Sequence, residues 1–290
     1  MPVKDLLFQG VCTALVTPFA DGKVNLPMFR KLLSLQMEAG IKAFVVCGTT
    51  GEAPTLSDSE KLTLFRQAKS WVGSDCVILA GTGSNCTEKA ISLSVAAEAQ
   101  GADGLLVVTP YYNKCTEKGL IQHYKAIAEA ISIPLILYNV PSRTGVDISP
   151  AACRELSQIS NISGIKEASQ DLRKIAEIRR ICPDDFAIYS GNDDLLLPVL
   201  SLGGKGVISV ASNVKPQSMK KITDNWFAGK EETSRKEFLN LLPLMNALFS
   251  EVNPIPVKAA MHCLGFDCGD CRLPLTRISE KSLQKLKELL

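Results

Sequence analysis

Short apolar runs alternate with longer amphipathic stretches along most of the chain. The runs read VCTALVTP, AFVVCG, VILAGTG, GLLVVTP, PLILYNV, ISGIKEA, FAIYSGND and GVISVAS. Unbroken apolar residues, rather than alternating ones, fit strands buried on both faces of a sheet. The stretches between them have helical spacing. In LPMFRKLLSLQMEAG, residues Phe29, Leu32, Leu33, Gln36 and Met37 share one face, and Gly40 closes the helix. In SDSEKLTLFRQAKSWVG, Ser57 followed three residues later by Glu60 is a capping box. NCTEKAISLSVAAEAQG and CTEKGLIQHYKAIAEAIS keep the same rhythm.

Strand followed by helix, eight times, predicts a parallel sheet wrapped by helices. The count and size fit an α/β fold, a (β/α)8 barrel of the TIM type, over residues 1–225. A doubly wound open sheet is the rival. It would normally place a G-x-G-x-x-G after its first strand, and GTGSNC after the third run does not match. Residues 226–290 predict a C-terminal helical extension, from KEFLNLLPLMNALFSEV, NPIPVKAAMHCLG and ISEKSLQKLKELL.

Composition narrows the field. The chain has 290 residues, 46% of them hydrophobic and 21% charged, with a formal charge of +2. No Lys/Arg run interleaves with aromatics, so nucleic acid is not an expected partner. No apolar stretch is long enough to span a bilayer, and MPVKDLLFQG lacks the apolar core of a signal peptide. A cytoplasmic protein without membrane contact is expected. The 10 cysteines are scattered, several inside apolar patterns, and read as free thiols. HCLGFDCGDC groups His262, Cys263, Cys268 and Cys271, but no second ligand pair accompanies it, so no metal is expected.

In barrels of this kind the chemistry sits at the carboxyl ends of the strands. Run two ends in Gly48-Thr49-Thr50-Gly51-Glu52, run three in Gly81-Thr82-Gly83-Ser84-Asn85 and run four in Pro110-Tyr111-Tyr112-Asn113. Run five brings Tyr138 and Arg143, run six Lys166 and Glu167, and run seven Gly191-Asn192-Asp193. The two histidines, His123 and His262, fall elsewhere and read as structural. Lys166 directly follows an apolar run at the catalytic rim, whereas Lys205 precedes one. Burial disfavours an ammonium, and a free amine forms Schiff bases with carbonyl substrates. An ion pair with Glu167 or another carboxylate is the competing role. Tyr138, Tyr112 and Thr49 offer hydroxyls that can move protons, and the Thr-Thr-Gly turn offers backbone N–H groups. Rim packing and ordinary turn chemistry compete with those roles. Arg143 presents a planar fork suited to a carboxylate, unless it is a plain surface arginine.

GTTGEAPTLSDSE, TPYYN, LYNVPSRTG, GIKEAS, SGND and GVISV occur in this order. With them the chain resembles the pyruvate-dependent class I aldolase family of dihydrodipicolinate synthases and N-acetylneuraminate lyases, over essentially its whole length. It lies nearer the former, because the latter generally lack the Ser-Arg after the tyrosine. The resemblance implies a Schiff base between Lys166 and pyruvate, without metal or organic cofactor. It implies Tyr138 as proton donor and acceptor, with Thr49 and Tyr112 completing a relay. Thr50 and Ile208 would contact pyruvate through their backbone, Arg143 would hold the carboxylate of L-aspartate 4-semialdehyde, and Gly191 is a further expected substrate-binding residue. The condensation is the first committed step of diaminopimelate and lysine biosynthesis. A homotetramer built from two tight dimers is implied, with Tyr112 reaching into the neighbouring subunit's site. A sister lyase acting on a sialic or keto-sugar acid, and a non-catalytic binding barrel, are the alternatives. For a lysine effector site the matching residues are Asn85 and Tyr111, with Glu88 one position out of register, about 100° around a helix. Ala53, Asp58, Lys61 and Lys89 depart from the lysine-sensitive pattern, so weak or absent inhibition by L-lysine is expected.

Overall fold

The computed structural model describes residues 6–290. The first five residues, on which the expectation of no leader rests in part, lie outside that range. All eight apolar runs are strands: β1 Gly10–Ala14, β2 Ala43–Val46, β3 Val77–Gly81, β4 Gly104–Val108, β5 Leu135–Asn139, β6 Ile162–Glu167, β7 Ala187–Ser190 and β8 Gly206–Ser209. They close a barrel in the order β1-β8-β7-β6-β5-β4-β3-β2. The pairings are parallel, for example Thr13 with Phe44, Val108 with Tyr138, and Tyr138 with Lys166. A small antiparallel hairpin, Phe19–Ala20 with Lys23–Val24, follows β1.

The helices that follow the strands are α1 Leu26–Glu38, α2 Asp58–Val72, α3 Thr87–Ala99 and α4 Glu117–Glu129, then α5 Pro141–Thr144, α6 Pro150–Leu156, α7 Leu172–Ile181, α8 Leu196–Ser201 and, after the last strand, α9 Pro216–Phe227. Three more follow: α10 Glu231–Ala247, α11 Ile255–Cys263 and α12 Glu280–Lys287. Their ends are written locally. Ser57 and Glu60 form the expected reciprocal capping box on α2. The Asp171 carboxylate accepts from the backbone N–H groups of Arg173 and Lys174 at the start of α7. On α1, Phe29, Leu32, Leu33 and Gln36 are buried, but Met37 is exposed. At about 100° per residue, Met37 stands roughly a quarter turn from the centre of that face.

Contacts gather into two compact units, residues 6–9 with 77–208, and residues 10–76 with 209–290. In the first, Tyr189 stacks on Phe8, ring centroids 4.1 Å apart, and donates its hydroxyl to the Phe8 carbonyl. In the second, Gln36 accepts from Thr13 Oγ1 at 2.8 Å and donates to the Ser212 carbonyl at 2.9 Å, satisfying a buried amide. No helix among the described residues is long and apolar enough to cross a membrane.

Candidate active site

Parallel pairing of β5 with β6 sets Tyr138 beside Lys166 and Asn139 beside Glu167. Successive side chains of a strand face opposite ways, so the two pairs occupy opposite faces of the sheet. Lys166 is only 6% exposed, and its Nζ lies 4.2 Å from the centroid of the Tyr138 ring. Among the described residues no carboxylate pairs with Lys166. The ion pair with Glu167 is therefore not formed.

The Glu167 carboxylate is engaged on the other face. It accepts from Asn139 Nδ2 at 2.9 and 3.1 Å and from the Ser169 N–H at 2.7 Å. Burial raises the pKa of Glu167, against the opposing pull of those hydrogen bonds. Gly191 closes in on the lysine from β7. A Cβ there would stand 2.6 Å from Ala168 Cβ and 3.1 Å from Lys166 Cε, so the lysine stem runs past bare backbone. Ile208 is fully buried in β8. Arg143 is exposed on the short helix α5, after the Pro141 turn.

The same unit holds the TPYYN motif. Tyr112 is 91% exposed and has a left-handed backbone, φ +69°. A bulky residue held in that region without burial is a strained display of an aromatic ring. Tyr111 is half-buried. The Asn85 carbonyl accepts from Asn113 Nδ2 at 2.9 Å, tying the loop after β3 to the loop after β4. Glu88 and Lys89 are both exposed in the first turn of α3. His123 is buried, with Nδ1 3.0 Å from Thr87 Oγ1, and burial lowers its pKa to about 4. A structural role fits it. His262 is at the surface, its Nδ1 4.0 Å from Asp267 Oδ1.

The other unit holds the Thr-Thr-Gly turn. Gly51 and Glu52 donate backbone N–H groups to the carbonyls of Gly48 and Thr49, both at 3.1 Å. Thr50 is buried, with its hydroxyl accepting from Asn253 Nδ2 at 3.0 Å, and Thr49 is half-buried. The turn leads into Glu52, left-handed at φ +56° and 2% exposed. Glu52 Oε1 accepts from Lys258 Nζ at 2.9 Å and Oε2 from the Arg272 N–H at 2.8 Å. Cys271 sits nearby, its thiol pushed up to about 12 by burial and then by Glu52. All ten cysteines are free, and no group of three His, Cys, Asp or Glu that would hold a metal occurs among the described residues.

Two polar residues of the first unit escaped the reading of motifs. Asn139 and Asp147 join Glu167 and Lys174 in one cluster, in which Asn139 Nδ2 also donates to Asp147 Oδ1 at 2.7 Å. An asparagine ending a continuous apolar run is the signal, because a buried carboxamide must find partners.

The dihydrodipicolinate synthetase family model matches residues 7–290. The chain is 48% identical over 284 residues to the 4-hydroxy-tetrahydrodipicolinate synthase of Acetivibrio thermocellus, covering 98% of this chain and 97% of the relative. It is 49% identical over 285 residues to the enzyme of that name from Caldicellulosiruptor saccharolyticus, covering 98% and 96%. The crystal structure of dihydrodipicolinate synthase from Thermotoga maritima superposes with a TM-score of 0.96 at 43% identity, covering 98% of each chain.

Proposed function

The chain belongs to the dihydrodipicolinate synthetase family, and from that premise we propose that it condenses pyruvate with L-aspartate 4-semialdehyde to 4-hydroxy-tetrahydrodipicolinate. The Lys166 amine attacks the pyruvate ketone carbon, and loss of water leaves an imine. Loss of a methyl proton turns the imine into an enamine, whose carbon attacks the aldehyde of the second substrate; that substrate's amino group then attacks the regenerated imine carbon, closing the ring as the Lys166 amine leaves. Tyr138 donates and accepts the protons, in relay with Thr49 and Tyr112. Thr50, Ile208 and Gly191 bind the pyruvate moiety, and Arg143 binds the carboxylate of the aldehyde substrate. The reaction takes its electrophilic activation from the imine and calls for no metal or organic cofactor. One observation carries this reading: Lys166 is buried against the Tyr138 ring with no carboxylate to neutralise it. That setting suits an amine that must act as a nucleophile.

Residues 1–225 serve as the catalytic barrel and residues 226–290 as its helical extension, in the cytoplasm. The strained, exposed Tyr112 supports a homo-oligomer, a dimer of dimers, in which this ring enters a neighbouring subunit's site. Exposed Lys89 beside Glu88 supports weak inhibition by L-lysine at a site drawing on Asn85 and Tyr111.

Borohydride trapping tests the chemistry. Reduction in the presence of pyruvate should add a stable mass to the peptide containing Lys166 and abolish turnover. A label on a different lysine, or no label in an active preparation, would overturn the proposal.

A further inference from the structure

The cluster behind the Tyr138–Lys166 pair takes no part in the chemistry above, yet both side-chain polar atoms of Asn139 and its backbone carbonyl are committed. One amide nitrogen serves two carboxylates, Glu167 at 2.9 and 3.1 Å and Asp147 at 2.7 Å. The side-chain oxygen accepts from the Ile148 N–H at 3.0 Å. The backbone carbonyl accepts from the Ala168 N–H at 2.9 Å, just past the end of β6. Asn139 is fully buried, so these bonds form away from competing water.

The contacts have a consistent geometry. Glu167 and Ala168 lie beside β5, on the strand that carries Lys166. Asp147 and Ile148 lie at the far end of the segment that leaves β5, and Arg143 sits in the middle of that segment. Within the segment, Gly145 N–H reaches the Pro141 carbonyl at 2.9 Å, and Thr144 Oγ1 reaches the Val146 carbonyl at 2.9 Å. It is a self-braced unit whose distal end returns to one side chain. Lys174 of α7 pairs with Asp147 and holds that end from outside.

We infer that Asn139 is a positioning residue: its carboxamide fastens the 140–148 segment bearing Arg143 to the strand pair bearing Tyr138 and Lys166. This rests on the functional reading above, in which Arg143 meets the second substrate and Lys166 the first. Imine formation needs Lys166 and Tyr138, which β5 and β6 hold by their own ladder. Capture of the aldehyde also needs Arg143 at a fixed distance from the enamine. A displacement of about 1 Å in such a group can cost on the order of a hundredfold. Loosening the fastening should therefore harm the second substrate selectively.

Two variants test this, Asn139→Ala and Asp147→Ala. The Asp147 side chain is half-exposed, so its removal should disturb folding less than removal of the fully buried Asn139 side chain. Each variant is assayed for the Michaelis constant of both substrates and for borohydride trapping with pyruvate. Asn139→Ala should raise the constant for aspartate semialdehyde at least about tenfold. Asp147→Ala should raise it about threefold, because Ile148 remains tied. In both, the pyruvate constant should stay within about twofold of wild type, with undiminished label on Lys166. An unchanged aldehyde constant in Asp147→Ala overturns the inference. So does an equal rise for both substrates, which marks a general loosening of the barrel rim. If the wild type itself takes no label at Lys166, the Schiff-base reading is what fails. A labelled wild type with an unmoved Asp147→Ala removes the positioning role alone.

Discussion

Glu52 and Glu167 are both 2% exposed, and the protein handles them in opposite ways. Glu52 meets a full cation, Lys258 Nζ at 2.9 Å, and a backbone donor, Arg272 N–H at 2.8 Å. Lys258 in turn donates to the Asp270 carbonyl at 3.1 Å and lies 4.4 Å from the Phe19 ring centroid. Glu167 has no cation in hydrogen-bond contact. A carboxamide and a backbone N–H hold it, and burial raises its pKa. The first arrangement is a lock: charge meets charge, and both are out of water. The second keeps a carboxylate that responds to its surroundings directly behind the proposed catalytic strand ends. A buried acid is thus no single kind of feature, and what faces it decides whether it serves stability or a site.

Breaking the lock should give the largest effect. Lys258→Met strands Glu52 as an uncompensated buried charge, a loss of about 3–5 kcal/mol of folding stability. Urea unfolding at pH 7 reads it. Adding Glu52→Gln removes the stranded charge, and the double variant should recover about half of that loss. A single variant costing under about 1 kcal/mol would mean that the pair does not hold the fold.

The rim of the same lock should give a smaller, pH-dependent effect. The Arg272 guanidinium donates to Glu60 at 2.6 and 2.9 Å, to the Thr55 carbonyl at 2.8 Å and to the Gly22 carbonyl at 2.7 Å. The hydrogen bonds from Arg272 lower the pKa of Glu60 to about 2. A carboxyl more acidic in the folded state stabilises it above the unfolded value near 4.5, and that contribution disappears as pH falls toward 2. Arg272→Met should cost about 1–2 kcal/mol at pH 7, part of the interaction being screened by solvent. It should also flatten the acid limb of the stability curve. Equal acid slopes in variant and wild type would show that Arg272 is not the cause.

The two regions also differ in how far the chain announces them. The strand ends were legible because each follows a continuous apolar run, and Lys166, Tyr138 and Gly191 fall where such runs stop. The β5–β6 register then joins Tyr138 to Lys166 without any further signal. The Glu52–Lys258 pair was not legible. Its members lie 206 residues apart, and neither interrupts a periodic pattern in a way that names a partner. Asn139 was half legible: its burial followed from the run, but its bonds to Asp147 and Ile148 depend on how the chain turns after Pro141. Met37 shows the limit of a helical wheel, since a position at the edge of an apolar face is decided by what packs against it.

The smallest expected effect is the one that separates the two carboxylates most sharply. Glu167 titrates at higher pH in the folded protein than in the unfolded chain. The folded state therefore binds its proton more tightly, and its contribution to stability falls as pH rises through the interval between the two values. This is the opposite sign to Glu60. Glu167→Gln cannot titrate. Its side-chain oxygen can still accept from Asn139 Nδ2 or the Ser169 N–H, so one acceptor is lost, at a cost of about 1 kcal/mol. Below the unfolded carboxyl range the variant should be the less stable protein by that amount. Above the folded value, where the wild type carries a buried charge, the difference should shrink or reverse. Urea midpoints from pH 4 upward read the trend in Asn139-intact protein. A difference that stays constant with pH would mean that Asn139 and Ser169 fully offset the burial of the charge, and Glu167 would then belong with Glu52 as a fixed structural ion.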